Sequence, residues 1–290
     1  RRKHTRYIKI ENTNLRERTP IKSSTFSTHL FILYWTKIVT KKTQHVRYIP
    51  YPKGLKPIQT SMPKSTSPNL HPVDAAAFNV LSYNVWGMFN AKDNEKRLRH
   101  MAEKKLHQFD IICLQEVDNM EALKAFEYGY LFRMVGSGYR QKYLVEGNDS
   151  RGIDVAVLMR EQTRDGQPIE LRDVKSHAAL TYHDLGLYHP GLGPNIQPED
   201  RIFKRDCLEL DLRIGGRPLT VYVVHFKSMT NGRDGVDGRT ATMPIREAEA
   251  KAVRHIIENR FGADHARQRN FVICGDMNDY QEKVDVVGDR

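Results

Sequence analysis

Short apolar runs, each closed by a polar or turn-forming residue, set the pattern of the chain from about residue 73 onward. Runs of this length are typical of strands that are buried on both faces. A Gly215-Gly216 pair separates two of them and predicts a tight hairpin. The predicted strands cover residues 77–84, 110–116, 139–146, 153–159, 168–174, 207–212, 219–226 and 270–276.

Helical periodicity appears in three segments between these runs. Lys96 to Gln108 places Leu98 and Met101 on one face, and Glu121 to Tyr128 suits a short helix. The clearest pattern is Pro244 to Phe261, where an apolar stripe follows a proline near the expected helix start. Hairpins mixed with helix-separated strands predict an α/β fold of two packed mixed β-sheets flanked by helices.

The first quarter of the chain has a different texture. Residues 1–72 contain 15 Lys and Arg against 2 Asp and Glu, and they show no sustained helical or strand period. The remaining residues carry 31 basic and 33 acidic side chains, so the net charge of +11 lies wholly in this segment. We therefore divide the chain into a basic segment, 1–72, and a domain, 73–290. The segment is a polyanion-binding arm or a disordered, non-native leader, and the second interpretation is favoured.

Cysteine usage and apolar run length exclude several classes of protein. Cys113, Cys207 and Cys274 have neither metal-type nor disulfide spacing, and their apolar surroundings favour buried, unreactive thiols. The longest apolar run, Leu30 to Trp35, is far shorter than the roughly 20 residues that cross a bilayer. No transmembrane segment is expected.

Polar side chains end several of the apolar runs. Asn84, Glu116, His225 and Asp276 each close a predicted core strand, and Asn278 follows the last of them. A carboxylate at the end of a buried strand needs a partner, because burying an isolated charge is costly. Glu116 and Asp276 are hard oxygen ligands suited to Mg²⁺ or Mn²⁺, and a histidine such as His225 donates to phosphate oxygens. Taken singly, each is more often a turn former or a helix cap.

Four segments in this order resemble the signatures of the endonuclease/exonuclease/phosphatase superfamily. They are Leu81-Ser-Tyr-Asn84-Val-Trp-Gly, Leu114-Gln-Glu116-Val, Val224-His225-Phe-Lys-Ser and Cys274-Gly-Asp276-Met-Asn278-Asp. Arg151-Gly-Ile-Asp154-Val-Ala-Val-Leu also resembles a strand of bacterial nuclease-like members. The resemblance implies a four-layer α/β/β/α sandwich, incomplete here at its C-terminus.

The same resemblance implies a role for each matching residue. Glu116, with Asn84 beside it, would form the site for Mg²⁺ or Mn²⁺. His225 would contact the scissile phosphate, Asp276 would orient the attacking water, and Asn278 would hold a phosphate oxygen. Arg151 and Asp154 are second-tier substrate-binding candidates, for which a structural ion pair is the favoured interpretation. We expect a metal-dependent phosphodiester hydrolase, a nuclease on DNA or RNA, acting as a monomer.

The sequence departs from the family near its end. Relatives carry a later Ser-Asp-His segment that supplies a general base, and no such segment follows Asp276 before Arg290. Loss of a general base costs about 100- to 10,000-fold in rate, so we expect a fragment of little or no activity. Two alternatives stay open: hydrolysis of a phospholipid or sugar/inositol phosphate, and a catalytically dead domain that binds polyanions. Lys227 is either a phosphate contact or a solvated rim lysine, and Arg246 is expected to form a surface pair with Glu249.

Overall fold

The computed structural model describes residues 8–10, 78–87, 95–104, 106–229 and 236–279. Within the basic segment 1–72 it therefore describes only the strand β1 (Ile8–Ile10). Whether the rest of that segment is an arm or a leader lies outside the described residues.

Strands of the first sheet follow the apolar runs of the first half of the domain. In spatial order they are β1, β2, β3, β5 and β4, with β2 and β3 parallel and the other neighbours antiparallel. The parallel pairing puts the carboxyl ends of β2 and β3 at the same edge. In the structure these strands are β2 (Phe78–Asn84), β3 (Ile111–Val117), β4 (Gln141–Leu144) and β5 (Asp154–Met159).

The second sheet contains the predicted hairpin. Its order is β6-β7-β8-β9, with β8 and β9 parallel and the other pairs antiparallel. Gly215 and Gly216, at φ 54° and 82°, form the two-residue turn and allow the left-handed backbone that it requires. The bounds are β6 (Ile169–Ser176), β7 (Cys207–Ile214), β8 (Arg217–His225) and β9 (Phe271–Asp276).

The two sheets pack face to face over an apolar core. Alternate residues of β3 and β9, such as Ile111, Cys113 and Cys274, enter this interface and are almost wholly buried. Each fully buried aliphatic side chain contributes about 1.5–3 kcal/mol. Buried, reduced Cys113, Cys207 and Cys274 confirm the prediction of unreactive small side chains.

Helices on the outer face of the first sheet form one of the two helical layers. α1 (Glu95–Lys104) packs Leu98 and Met101 onto it, as predicted. The helix predicted for Glu121 to Tyr128 is longer than expected. It begins as α2 (Met120–Phe126), passes through a π-helical segment (Glu127–Phe132) and ends as α3 (Arg133–Val135). Burial of Leu131 against the sheet explains this extension, since tertiary packing outweighs local propensity.

A single long helix, α4 (Gly238–Phe261), covers the outer face of the second sheet. It begins earlier than predicted, because Asp237 caps it by accepting from Thr240 N at 3.1 Å. Pro244 therefore lies inside the helix rather than at its start. The layers are helix, sheet, sheet, helix, which confirms the predicted α/β/β/α fold. Among the described residues no helix has the length and apolar character to span a bilayer.

Candidate active site

The carboxyl ends of four strands meet at one edge of the sandwich. On β2, β8 and β9 the residues that face the core between the two sheets alternate with those that face the helices. Asn84, His225 and Asp276 fall on the inter-sheet side in this alternation. His225 is also directly paired with Asp276 in the β8–β9 register. Strand alternation alone therefore aims these three side chains at a common space.

Glu116 reaches the same space through an irregularity in β3. By alternation it would share the helix-facing side with Ile112 and Leu114. The register of β3 against β5 shifts between Gln115 and Val117, and Glu116 has φ +62°. A β-bulge re-aims side chains in this way, and here it turns the Glu116 carboxylate toward the second sheet.

Left-handed backbone concentrates at this edge. The non-glycine residues with positive φ in the described part of the chain are Trp86, Glu116 and Asn278, at 55°, 62° and 50°. Such conformations cost about 1–3 kcal/mol each and cluster at functional sites. Their coincidence with the strand ends indicates that the edge is built for the placement of side chains.

Gly275 sets the spacing between His225 and Asp276. Its φ is +150°, and a Cβ there would lie 1.8 Å from the carbonyl oxygen of Val224. No other residue permits that approach, because backbone atoms cannot move aside as a flexible side chain does. The glycine in the Cys274-Gly-Asp276 segment therefore draws β9 close to β8.

Asn84 lies at the centre of the site. Its Nδ2 donates to Glu116 Oε1 at 3.1 Å and to Asp276 Oδ2 at 3.0 Å, while its Oδ1 accepts from Trp86 N at 2.8 Å. One neutral amide thus joins carboxylates from both sheets. His225 Nε2 lies 3.9 Å from Glu116 Oε1, and the His225 side chain is almost completely buried.

The electrostatics of the two carboxylates follow from this arrangement. Burial raises the pKa of Glu116, and the nearby charge of Asp276 raises it further, while the hydrogen bond from Asn84 and the charges of Arg205 and Arg151 oppose the rise. The described part of the chain holds no set of three or more His, Cys, Asp or Glu arranged as a metal centre. The oxygen ligands that this arrangement offers are the two carboxylates, because Asn84, expected beside Glu116 at the metal site, turns its Nδ2 toward them. Mg²⁺ is commonly held by such a pair, together with water and phosphate oxygens.

Asn278 is held by hydrogen bonds to Asp276 and to the backbone that follows His225. Its N–H donates to Asp276 Oδ1 at 2.9 Å, and its Nδ2 donates to the carbonyl of Phe226 at 2.9 Å. The N–H of Phe226 in turn donates to Asp276 O at 2.9 Å. The structure thus brings Asn84, Glu116, His225, Asp276 and Asn278 together at one rim.

Arg151 and Asp154 do not form the ion pair that the sequence favoured. Arg151 binds Asp149, with Nε to Oδ1 at 2.9 Å and Nη2 to Oδ2 at 2.8 Å. Asp154 is buried and accepts from Gly147 N at 2.8 Å. The predicted pair was wrong because the tight turn before β5 places Asp149 beside Arg151. Asp154, the first residue of β5, is buried away from Arg151 and bound to Gly147 N. The charge of Arg151 acts on Glu116. The carboxylate of Asp154 binds the backbone of Gly147 instead.

A buried arginine beside the site has no counterpart in the sequence prediction. Arg205 Nε binds Asp149 Oδ2 at 2.9 Å, and its Nη1 donates to Phe226 O at 2.9 Å. Burial alone would raise the pKa of Asp149, but the bonds from Arg151 and the charge of Arg205 outweigh it and lower the pKa to about 2. The sequence signal was weak: an arginine in Phe-Lys-Arg-Asp just before a core strand.

Arg246 and Glu249 also differ from expectation. Lys227 is half-buried, and burial followed by the charge of Arg205 lowers its pKa, while a phosphate contact by this residue stays a prediction. Arg246 and Glu249 are 3% and 0% exposed, which contradicts the predicted surface pair. Because α4 lies flat on the second sheet, this stripe of the helix faces the protein interior.

Sequence comparison assigns the class of protein that this fold and site define. The profile of the Endonuclease/Exonuclease/phosphatase family matches residues 81–288. The chain belongs to the endonuclease/exonuclease/phosphatase family. Comparison with proteins of curated function gave no significant match.

Solved structures show distant similarity. Truncated TDP2 from Caenorhabditis elegans is 17% identical, with 73% of this chain and 66% of that chain covered, at a TM-score of 0.40. ANGEL2, a 2',3'-cyclic phosphatase, is 15% identical over 70% and 53% of the two chains, at 0.42. SmcL is 17% identical over 71% and 65%, also at 0.42. The chain thus spans between half and two thirds of the length of these structures.

Proposed function

We propose that this chain carries the catalytic rim of a divalent-metal-dependent phosphodiesterase that acts on nucleic acid. One observation carries the proposal: Asn84 Nδ2 lies within 3.1 Å of Glu116 Oε1 and 3.0 Å of Asp276 Oδ2, beside buried His225. Two carboxylates and an imidazole at one edge suit a cation and a phosphate together. Family membership supports a phosphoester hydrolase at the coarser level.

Glu116 and Asp276 are the residues that would hold Mg²⁺ or Mn²⁺. Their oxygens are hard ligands, and burial together with the nearby charge of Asp276 raises the pKa of Glu116. Asn84 presents nitrogen to them, since its oxygen is engaged by Trp86 N. We therefore propose that Asn84 aligns the carboxylates of Glu116 and Asp276 through its Nδ2. A cation held by these residues would supply Lewis-acid stabilisation of charge on the phosphoryl and leaving oxygens.

The remaining roles belong to side chains on the second sheet. His225 Nε2 is directed at the rim and would donate to the developing charge on the scissile phosphate. Asp276 Oδ2 accepts from Asn84 Nδ2, and this fixes the carboxylate that would orient the attacking water. Asn278 would hold a phosphate oxygen, provided that its Nδ2 exchanges Phe226 O for the ligand.

Nucleic acid is the proposed substrate because basic side chains lie near the two carboxylates. Arg151 is largely exposed, with 62% of its side chain accessible, while Asp149 holds it in place. Lys227 lies in the segment just after His225. Burial lowers its pKa, and the charges of Arg205 and Arg151 lower it further. A polynucleotide presents further phosphates on either side of the scissile one, and such cations would bind them. Asp154, with its carboxylate on Gly147 N, is proposed to support this segment rather than to touch substrate.

A substrate panel tests the proposal. The chain would be incubated with Mg²⁺ or Mn²⁺ and plasmid DNA, RNA, sphingomyelin or inositol phosphates, beside Glu116→Gln and His225→Gln variants. We expect cleavage of nucleic acid that EDTA abolishes and that each substitution lowers by about 100-fold or more. Hydrolysis of the lipid or the inositol phosphate alone would replace nucleic acid as substrate. The expectation of slow turnover by these 290 residues stays a prediction, and the same assay measures it.

The polyanion-binding alternative needs a separate test. DNA binding would be measured between about 50 and 200 mM salt for the chain and for a variant without residues 1–72. Binding driven by the basic segment would vanish with it, together with its steep salt dependence. Magnesium-dependent cleavage that survives the deletion would show that the segment is dispensable for the chemistry.

A further inference from the structure

Two charged residues lie on the buried stripe of α4. Arg246 is 3% exposed and Glu249, less than one turn further on, is 0% exposed. Their neighbours on the same stripe, such as Ile245 and Ala252, pack into the apolar layer on the second sheet. Buried charges are costly unless they are paired and hydrogen-bonded, so the contacts of these two side chains show what they do.

Glu249 bonds to two separate segments beside the candidate active site. Its Oε2 accepts from Lys227 N at 2.6 Å, and its Oε1 accepts from Lys204 N at 3.1 Å. Lys227 is two residues past His225, and Lys204 directly precedes Arg205. One carboxylate therefore fixes the chain on both sides of the point where Arg205 meets the backbone after β8.

Phe226 connects this clamp to the candidate catalytic groups. Its carbonyl accepts from Arg205 Nη1 and from Asn278 Nδ2, both at 2.9 Å. Its N–H donates to the carbonyl of Asp276. A shift of the Phe226–Lys227 peptide would therefore displace His225 on one side and Asn278 on the other.

Arg246 holds the second site-bearing segment. Its Nε donates to Asp279 Oδ2 at 3.1 Å, and its Nη2 donates to Arg239 O at 2.8 Å. The Nε of Arg239 also donates to Asp279, at 2.6 Å. Asp279 directly follows Asn278, whose φ of +50° needs support from its surroundings. The first turns of α4 thus grip the chain just past Asp276 and Asn278.

We propose that Arg246 and Glu249 are positioning residues: from one stripe of α4 they fix the segment after β8 and the segment after β9. The helix is 24 residues long and packed along the second sheet, so it is a rigid frame for both. The catalytic consequence rests on the proposed function, since small displacements of reacting groups lower rates strongly. That Arg246 and Glu249 hold these two segments does not depend on the proposed function.

Paired variants on the same helix test this inference. Arg246→Met removes the guanidinium and keeps much of the stem, while Glu249→Gln leaves one acceptor for two N–H donors. Arg254→Met and Glu258→Gln are the matched controls, because that i,i+4 pair lies at the surface of α4, with 68% and 29% of the side chains accessible. Thermal midpoints and circular dichroism would show that all four variants fold.

Amide hydrogen exchange gives a readout that is independent of activity. Glu249→Gln should accelerate exchange at the amides of Lys204 and Lys227 by about 10- to 100-fold, as expected for loss of a charged hydrogen bond. Arg246→Met should accelerate exchange at residues 277–279 instead. Amides within β7 should exchange as in the wild type. Uniform acceleration everywhere, or no change at these amides, would overturn the inference.

Kinetics then separate positioning from a purely structural role. Both variants should lower kcat about 10- to 100-fold with KM changed less than about three-fold, and the two controls should match the wild type. If exchange is local but kcat is unaltered, the clamp exists without catalytic effect and the positioning role is rejected. If the wild type neither cleaves a phosphodiester nor binds Mn²⁺ in calorimetric titration, the proposed function fails, while the exchange data still decide the clamp.

Discussion

Two polar clusters on the same double sheet solve the problem of buried charge in opposite ways. Glu209, on the outer face of β7, is bound by His177 Nε2 at 2.9 Å and by the guanidinium of Arg260. Burial alone would raise its pKa, but these partners outweigh burial and lower the pKa. Glu116 faces Asp276 instead, with a neutral amide between them, and its pKa is raised.

The difference separates a structural cluster from the cluster to which we assign the proposed function. Around Glu209 the positive partners are part of the chain, and Arg260 also reaches Asp211 at 2.9 Å. Around Glu116 the charges of Arg205 and Arg151 do not outweigh burial and the neighbouring charge of Asp276, so the pKa of Glu116 stays raised. Perturbed carboxylates in a rim are functional candidates for this reason.

The largest expected effect is on stability, and it should differ sharply between the two clusters. Glu209→Gln should lower the free energy of unfolding by about 3 kcal/mol, because Arg260 and His177 lose their buried anion. Glu116→Gln should leave it within about 0.5 kcal/mol or raise it, since a repulsion is removed. Urea unfolding at pH 7 without divalent ions measures both, with exposed Glu103→Gln as control. Equal losses at both sites would end the comparison.

Asn84→Asp comes next, because it turns the neutral link into a third carboxylate. The existing oxygen still accepts from Trp86 N, but the new oxygen replaces Nδ2 and faces Glu116 and Asp276, so stability should fall by about 2 kcal/mol in EDTA. Excess Mn²⁺ should recover most of that loss. Unfolding in EDTA and in Mn²⁺ measures the change, and Asn270→Asp at an exposed position is the control. A loss that Mn²⁺ leaves intact would argue against a cation between these residues.

A divalent cation should stabilise the folded protein through the rim carboxylates and not through the Glu209 cluster. At about ten times the Kd, Mn²⁺ should add about 1.4 kcal/mol to the unfolding free energy of the wild type. Glu209→Gln should gain as much and Glu116→Gln should gain almost nothing. Calorimetric titration gives the Kd, and thermal unfolding gives the shift. An undiminished gain in Glu116→Gln would place the ion elsewhere.

The smallest effect is a difference in sign with pH. Glu116 has a raised pKa, so its contribution relative to Glu116→Gln should be full below about pH 4.5 and lost as pH rises through the folded-state pKa. Glu209 has a lowered pKa, so its contribution should be present above about pH 4.5 and lost as pH falls through the folded-state pKa. Unfolding free energies from pH 3 to 8 measure both slopes. Slopes of the same sign would contradict the two opposed environments.

Local patterns were sufficient for much of the fold and for most of the site residues. Apolar runs predicted strands β2 to β9, and Gly215-Gly216 predicted the β7–β8 hairpin, because side-chain alternation and turn chemistry act over a few residues. Strand β1, in the basic segment, was not predicted. The helix boundaries were less accurate. Asp237 moved the start of α4, and packing of Leu131 extended the helix after β3.

Charge partners could not be predicted, since they depend on which faces become buried. Arg246 and Glu249 have the spacing of a surface pair, yet each binds a different loop. Arg205 lies in an unremarkable stretch before β7, and only the fold brings it to Asp149 and Phe226. Long-range contacts of this kind leave no local signal.

The sequence by itself determined which residues could do chemistry here: Asn84, Glu116, His225, Asp276 and Asn278, each closing or following a strand. Their polar character at the ends of apolar runs is a local property and can be read along the chain. Only the tertiary structure decided how they meet, because Glu116 points to the wrong side of β3 until a bulge with φ +62° turns it toward Asp276. Pairing and packing between two sheets fix that turn.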